Sequence, residues 1–259
     1  MSKVIAIANP KGGVGKTTTA INLAASFAYS GHKTLVIDID PSGAAGIGLG
    51  LNKEEITQGL YDLFKQNNGL DLSYIESCIH TTEMADLDII PCNVWSSDEE
   101  DHLFELASKL ARLRLIRNYL NRIYDYIIID CPPFVGNLTV GALAAADSIV
   151  IPLQCGYLSI KALSRLMKVI RKIQMGMNTG LKIDGILLTL YEHGTNLSVK
   201  TETELKMVFN NLVFNVKIPK NVKLGEAIFS GKPVILFDGR SAGAKAYMQL
   251  AAEIIEKEN

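Results

Sequence analysis

The stretch Asn9–Thr19, NPKGGVGKTTT, sets three glycines ahead of a Lys-Thr pair at the spacing that phosphate binding demands. It follows the apolar run Val4–Ala8 and opens into Ala20–Ala25, so it reads as a turn between a strand and a helix. Backbone N–H groups of such a turn, at a helix N-terminus, can close around an anion. Gly12, Gly13 and Gly15 keep side chains out of the space a phosphate would fill, and Val14 and Thr18 complete the loop. At this spacing Lys16 reaches the terminal phosphates of a nucleotide and the Thr17 hydroxyl ligates magnesium. A nucleotide's phosphates and Mg2+ are therefore the expected ligands of this loop.

Two acidic strand ends complete the chemistry. Tyr126–Ile129 is an apolar run that ends in Asp130, the pattern whose carboxylate holds the magnesium, often through water. Pro132 and Pro133 stop that strand and stiffen the segment after it. A second run, Thr34–Asp40, ends in Asp38 and Asp40 before Pro41. One of these carboxylates is expected to point to the nucleotide while the other supports the loop.

Such groups need strand ends to stand on, and the pattern supplies them. Further apolar runs at Leu87–Ile90, Ile149–Ile151, Ile183–Leu190, Val213–Ile218 and Val234–Phe237 read as strands. Helical patterns lie near Asp101–Leu120, Leu138–Ala146, Ile160–Met175, Ser198–Phe209 and Ala242–Ile255, and Gly43–Asp86 reads as a loop-rich excursion. The expected fold is α/β, a mostly parallel twisted sheet with helices on both faces, of P-loop NTPase type. In such sheets ligands sit at the carboxyl ends of the strands. A length of 259 residues fits a single domain spanning 1–259, and 48% hydrophobic with 20% charged residues is ordinary for a globule. Apolar runs are too short to span a bilayer, and no cleavable signal pattern precedes the first strand. Cys78, Cys92, Cys131 and Cys155 are widely spaced, as in a cytoplasmic protein with reduced thiols.

One position departs from the plain phosphate-loop pattern: its first glycine would fall at Pro10, and a second lysine, Lys11, precedes the glycines. This KGGVGKTT form resembles the deviant Walker A loop of the ParA/MinD family of ATPases. The resemblance runs on through VIDIDPSG, YDYIIIDCPP, DSIVIPLQC, IPKNVKLGEA and GKPVILFD, nearly the whole chain, and fits the Soj-like partition branch. It implies magnesium-dependent hydrolysis of ATP, slow until a partner protein stimulates it. It implies an ATP-dependent homodimer in which Lys11 reaches across to the nucleotide of the second copy. On the same ground Asp40 positions the attacking water, Asp38 supports the loop and the metal shell with Thr17 and Asp130, and Pro219 and Asn221 pack on the adenine.

Three surfaces compete for such a timer: DNA, membrane, or protein partners alone. From Cys155 to Lys232 there are 12 Lys and Arg against 5 Asp and Glu, in a chain of net charge −1. Lys161, Arg165, Lys168 and Lys172 recur at helical spacing and fall within about 60° of arc, a basic edge beside the apolar Leu163, Leu166, Met167, Ile170 and Ile173. Lys217, Lys220, Lys223 and Lys232 add charge near the adenine loop, and Lys223 matches a position that carries a DNA-contacting arginine in relatives. These are the candidates for non-specific double-stranded DNA binding. The last helix ends in EIIEKEN, too acidic for an anionic bilayer, so no membrane is expected and its apolar face (Tyr247, Leu250, Ala251, Ile254) is read as core. The expected role is chromosome or plasmid partition with a ParB-like partner, nucleoid-associated when ATP-bound. Positioning a protein cargo through an adaptor on the nucleoid, or a MinD-like membrane role, are the alternatives. Three departures from the family pattern matter, the first for switch-loop contacts and hydrolysis rate and the last as weakening a direct carry-over of DNA binding. Ser42 and Ala44 replace the Gln and Asn of DPQGN, Gly156 replaces a glutamate, and Gly194 stands where the family has a DNA-contacting arginine.

Overall fold

Short apolar runs buried on both faces form the spine of the fold, and a computed structural model describes residues 1–66, 71–108 and 111–258. Strands β1 (Lys3–Ile7), β2 (Thr34–Asp38), β3 (His80–Thr81), β4 (Leu87–Ile90), β5 (Tyr126–Asp130), β6 (Ser148–Gln154) and β7 (Lys182–Thr189) make one sheet. Its order is β3-β4-β2-β5-β1-β6-β7, and only the β3–β4 pair is antiparallel. The helices are α1 (Lys16–Tyr29), α2 (Ala44–Gly48), α3 (Leu60–Lys65), α4 (Leu72–Ser77), α5 (Ser97–Leu106) and α6 (Ala111–Leu120). They continue with α7 (Asn137–Ala145), α8 (Tyr157–Gly176), α9 (Asn196–Phe209), α10 (Val222–Phe229), α11 (Val234–Asp238) and α12 (Ala242–Glu258).

Each face of the sheet carries its own core. Ile127, Ile129 and Ile149 pack toward α8 through Leu163 and Leu166, while Ile5 and Ile7 pack toward α1 and α12 through Phe27 and Leu250. Phe27 stacks flat on Tyr126 with centroids 3.9 Å apart, and the Thr19 and Tyr247 hydroxyls meet at 3.2 Å, tying α12 to the first turns of α1. Tyr247, Leu250, Ala251 and Ile254 are all buried, so the apolar face of α12 is core, as the acidic tail suggested. Among the described residues no helix is long and apolar enough to cross a membrane.

Several expected elements differ. Val213–Ile218 is not a strand. It meets β7 at one isolated bridge, Val213 to Ile186, and through the Phe214 and Ile218 N–H groups, but between them the Asn215 and Val216 N–H groups turn away to the Glu253 carboxylate at 3.1 Å. Val234–Phe237 is helical: Pro233 sets the entry angle, and its carbonyl accepts from Leu236 and Phe237. A four-residue apolar run cannot by itself distinguish a buried strand from a buried helical turn. The pattern at 101–120 divides into α5 and α6, with residues 109 and 110 outside the described residues. The stretch 43–86 carries short helices and β3 between loops, with 67–70 outside the described residues, as is residue 259 of the tail. The second strand ends at Asp38, two residues before Asp40.

A tether fixes α9 against the open edge of β7. The Glu202 carboxylate accepts from Lys206 at 2.8 Å, Lys217 at 2.7 Å and the Tyr191 hydroxyl at 2.8 Å. Partial burial works to raise its pKa, but these three donors win and hold it down at about 2. A depressed carboxylate stabilises the fold above its unfolded pKa and loses that contribution as pH falls through the folded value. Glu202→Gln is therefore expected to destabilise the protein by about 1 kcal/mol at neutral pH, after allowance for solvent screening. The gap from wild type should close between pH 4.5 and about 2 in thermal melts. A gap that stays constant with pH would show that the charge of Glu202 is not the source.

Candidate functional site at the carboxyl ends of the central strands

The loop between β1 and α1 lies where the chain departs to opposite sides of β1, toward β5 and β6. Gly13 and Gly15 have φ of +70° and +81°, which L side chains rarely adopt, so glycine is required there for backbone conformation as well as for phosphate access. Gly15 caps α1 without any side-chain hydrogen bond, and no acidic residue stands in the first turn. The first N–H groups of a long helix are thus left to face an anion. Two bonds hold the loop from outside: the Thr189 hydroxyl donates to the Val14 carbonyl at 2.8 Å, and the Asn9 amide to the Pro152 carbonyl at 2.7 Å. The sequence offered no signal for either clamp beyond their places at a strand end and before the loop.

Asp38 and Asp130 are register partners at the ends of adjacent β2 and β5, and both are fully buried. They differ in what they hold. Asp38 accepts from the Asp40 N–H at 3.0 Å and the Ala45 N–H at 3.1 Å, so it braces the loop after β2. Its pKa is raised well above the usual range by burial and by the neighbouring Asp130. Asp130 has the Thr17 hydroxyl beside it, yet among the described residues neither of its oxygens has a donor at hydrogen-bond geometry. Burial pushes the Asp130 carboxyl up, while Thr17 and Lys16 pull it back. An orphaned buried carboxylate next to a hydroxyl is a donor set suited to a hard divalent cation such as magnesium.

Lys16 is buried, with its pKa lowered by burial against the pull of Asp130 and Asp40, and its ammonium donates to the Lys11 carbonyl at 3.3 Å. Lys11 bends back onto its own chain, donating to Gln154 at 3.3 Å and to the buried Ser159 hydroxyl at 3.1 Å. Asp40 lines a cavity of about 370 Å³ with Gly12, Gly13, Lys16, Thr17 and Pro133. Beside it lies a mostly apolar cavity of about 480 Å³, walled by Pro219, Asn221, Val222 and Tyr247, a size common to small-ligand sites. Both expected adenine contacts are in its wall. Asn221 also caps α10 by accepting from the Lys223 N–H at 2.8 Å. Cys92 and Cys131 lie buried near these carboxylates, with thiol pKa values pushed up by burial, so neither is a reactive thiolate.

A family model described as an AAA domain matches residues 2–183. The chain is 44% identical to the sporulation initiation inhibitor protein Soj of Bacillus subtilis (strain 168), over 98% of each chain. It is 42% identical to the chromosome partitioning protein ParA of Myxococcus xanthus, over 100% of this chain and 89% of the relative. This chain belongs to the ParA/MinD family, in its Soj-like partition branch. Among solved structures, cobyrinic acid a,c-diamide synthase of Mycobacterium smegmatis with bound ADP and magnesium is 26% identical. It matches with a TM-score of 0.80 over 100% of this chain and 96% of that one.

Within this ParA/MinD family member the basic candidates separate into two sets. Lys220 pairs with Glu192 and Lys223 with Glu226, each at 2.8 Å, and Lys217 and Lys232 are likewise paired. Lys161, Arg165, Lys168 and Lys172 are all exposed on α8, and among the described residues none forms an ion pair. Leu163, Leu166, Ile170 and Ile173 are buried beneath them, as the spacing required. Two of the departures from the family pattern are built into the backbone. Gly156 and Gly194 have φ of +142° and +79°, so a glutamate or an arginine there would be strained.

Proposed function

We propose that this partition ATPase binds ATP with magnesium across the two adjoining cavities, dimerises in that state and holds DNA on α8 until hydrolysis releases it. The observation that carries the reading is Asp130, a buried carboxylate without a hydrogen-bond partner among the described residues, at the strand end beside Thr17 and Lys16. Pro219 and Asn221 take the adenine, and the loop Lys11–Thr18 takes the phosphates. Thr17 and Asp130 hold the metal, with Asp38 behind them as brace of the loop. Magnesium, when bound, neutralises charge on the phosphate oxygens.

Asp40 reaches the phosphate cavity from the loop that Asp38 fixes, and there it orients a water toward the γ-phosphorus. The new bond forms between that water oxygen and phosphorus, the bond from phosphorus to the bridging oxygen breaks, and ADP and inorganic phosphate leave. Lys16 stabilises the charge that develops. Lys11 leaves Gln154 and Ser159 to reach the nucleotide of a second copy, which couples dimer formation to ATP. A ParB-like partner stimulates turnover, and the nucleoid is the site of action.

DNA binding rests on the unpaired stripe of α8 more than on Lys220 and Lys223, whose charges are locally matched. Replacing Lys161, Arg165, Lys168 and Lys172 by Glu is expected to lower the affinity of the ATP-loaded protein for any duplex. The slope of log affinity against log salt should also fall by about 0.9 for each phosphate no longer neutralised. Unchanged affinity and slope in a salt titration would remove α8 from the DNA interface.

A further inference from the structure

Three non-glycine residues among those described have positive φ: Asp86, Leu190 and Asn210. Asp and Asn tolerate this region through their short polar side chains, whereas a leucine there is strained. Such strain persists only where the surroundings impose it, and Leu190 (φ +48°) is held on both sides. Before it, Thr189 is fixed by its bond to the Val14 carbonyl. After it, the Tyr191 N–H donates to the Ile218 carbonyl at 2.9 Å, the Tyr191 carbonyl accepts from Lys220 at 3.1 Å, and the Tyr191 hydroxyl is tied to Glu202.

The place of this strained residue is specific. Among the described residues, Gly15, Thr18 and Leu190 line both the adenine-side cavity and the phosphate-side cavity. Gly15 and Thr18 come from the phosphate loop and α1, and Leu190 faces them from the end of β7. A nucleotide spanning the two cavities must pass its sugar through this junction, and the wall opposite the loop there is an apolar, partly exposed leucine.

We propose that Leu190 is a positioning residue for the nucleoside: its side chain covers the ribose and fixes the angle at which base and phosphates enter their separate cavities. The proposal rests on the ATP-site reading given above. The twist at Leu190 turns the side chain into the junction, and the Thr189 and Tyr191 bonds hold it there.

The test compares ADP with inorganic pyrophosphate, each titrated with magnesium into the wild-type protein and into Leu190→Ala and Leu190→Gly. ADP and pyrophosphate share the phosphate loop, and only ADP passes a sugar beneath Leu190. Leu190→Ala is expected to weaken ADP about tenfold, because apolar surface is no longer buried against the sugar, and to leave pyrophosphate unchanged. Leu190→Gly should lose ADP affinity to at least the same degree while melting at a higher temperature than Leu190→Ala, because glycine relieves the positive φ. Unchanged ADP affinity in Leu190→Ala, or equal loss for both ligands, would overturn the proposal; a higher melting temperature for Leu190→Ala than for Leu190→Gly would overturn its strained backbone. Should the alanine variant fail to fold, Leu190→Asn, which tolerates positive φ, carries the same comparison. Failure of the wild-type protein to bind either ligand would overturn instead the phosphate-loop reading beneath it.

Discussion

Lys16→Ala is expected to weaken nucleotide binding severely. The lysine is 6% exposed and stands between the loop carbonyl of Lys11 and the carboxylates Asp130 and Asp40. Removing one member of such a buried charge arrangement costs about 2–5 kcal/mol in affinity, so binding should weaken roughly thirtyfold or more. The fold should survive, because Lys16 contributes to neither apolar core and the loop keeps its clamps from Thr189 and Asn9. Calorimetric titration with ATP and magnesium checks this. Tight binding by a folded Lys16→Ala protein would remove the phosphate role from this loop.

Asp40→Ala is expected to separate binding from turnover. Asp40 lines the phosphate cavity but makes only local bonds of its own: its side chain accepts from the Ser42 N–H at 3.0 Å, and its carbonyl from Gly43. The braces that set the loop belong to Asp38, which the substitution leaves in place. ATP should therefore still bind. Losing the group that orients water should slow phosphate release by about 10²–10⁴-fold, the usual scale for a positioned acid–base group. Stalled hydrolysis with retained binding would leave the protein in its ATP-bound form.

Much of this site was legible in the residues. The strand–loop–helix around Asn9–Thr19 and the acidic ends of β2 and β5 are local patterns, and a local pattern fixes local geometry. Strand alternation would set Asp38 and Asp40, two residues apart, on one face; their roles separate because β2 ends at Asp38 and the chain turns, so that Asp38 braces the loop and Asp40 lines the phosphate cavity. What could not be read depends on contacts between distant segments. Val213–Ile218 has the composition of a strand, but Glu253, far along the chain on α12, takes two of its N–H groups. Val234–Phe237 has strand residues and a helical backbone set by Pro233. Lys220 and Lys223 add to a count of basic residues, yet Glu192 and Glu226 offset them in space. The stance of Lys11 against Gln154 and Ser159, and the strained turn at Leu190, arise from where β6 and β7 end relative to the loop.

A shared nucleotide site is the core of the proposal: ATP held by Lys16, Thr17 and Asp130 in one copy draws in Lys11 of another. Sedimentation velocity of the Asp40→Ala protein with magnesium and ATP, set beside the same protein with ADP, is the decisive measurement. A stable dimer with ATP and a monomer with ADP is the expected result. A monomer in both, under conditions where ATP is shown to be bound, would contradict it.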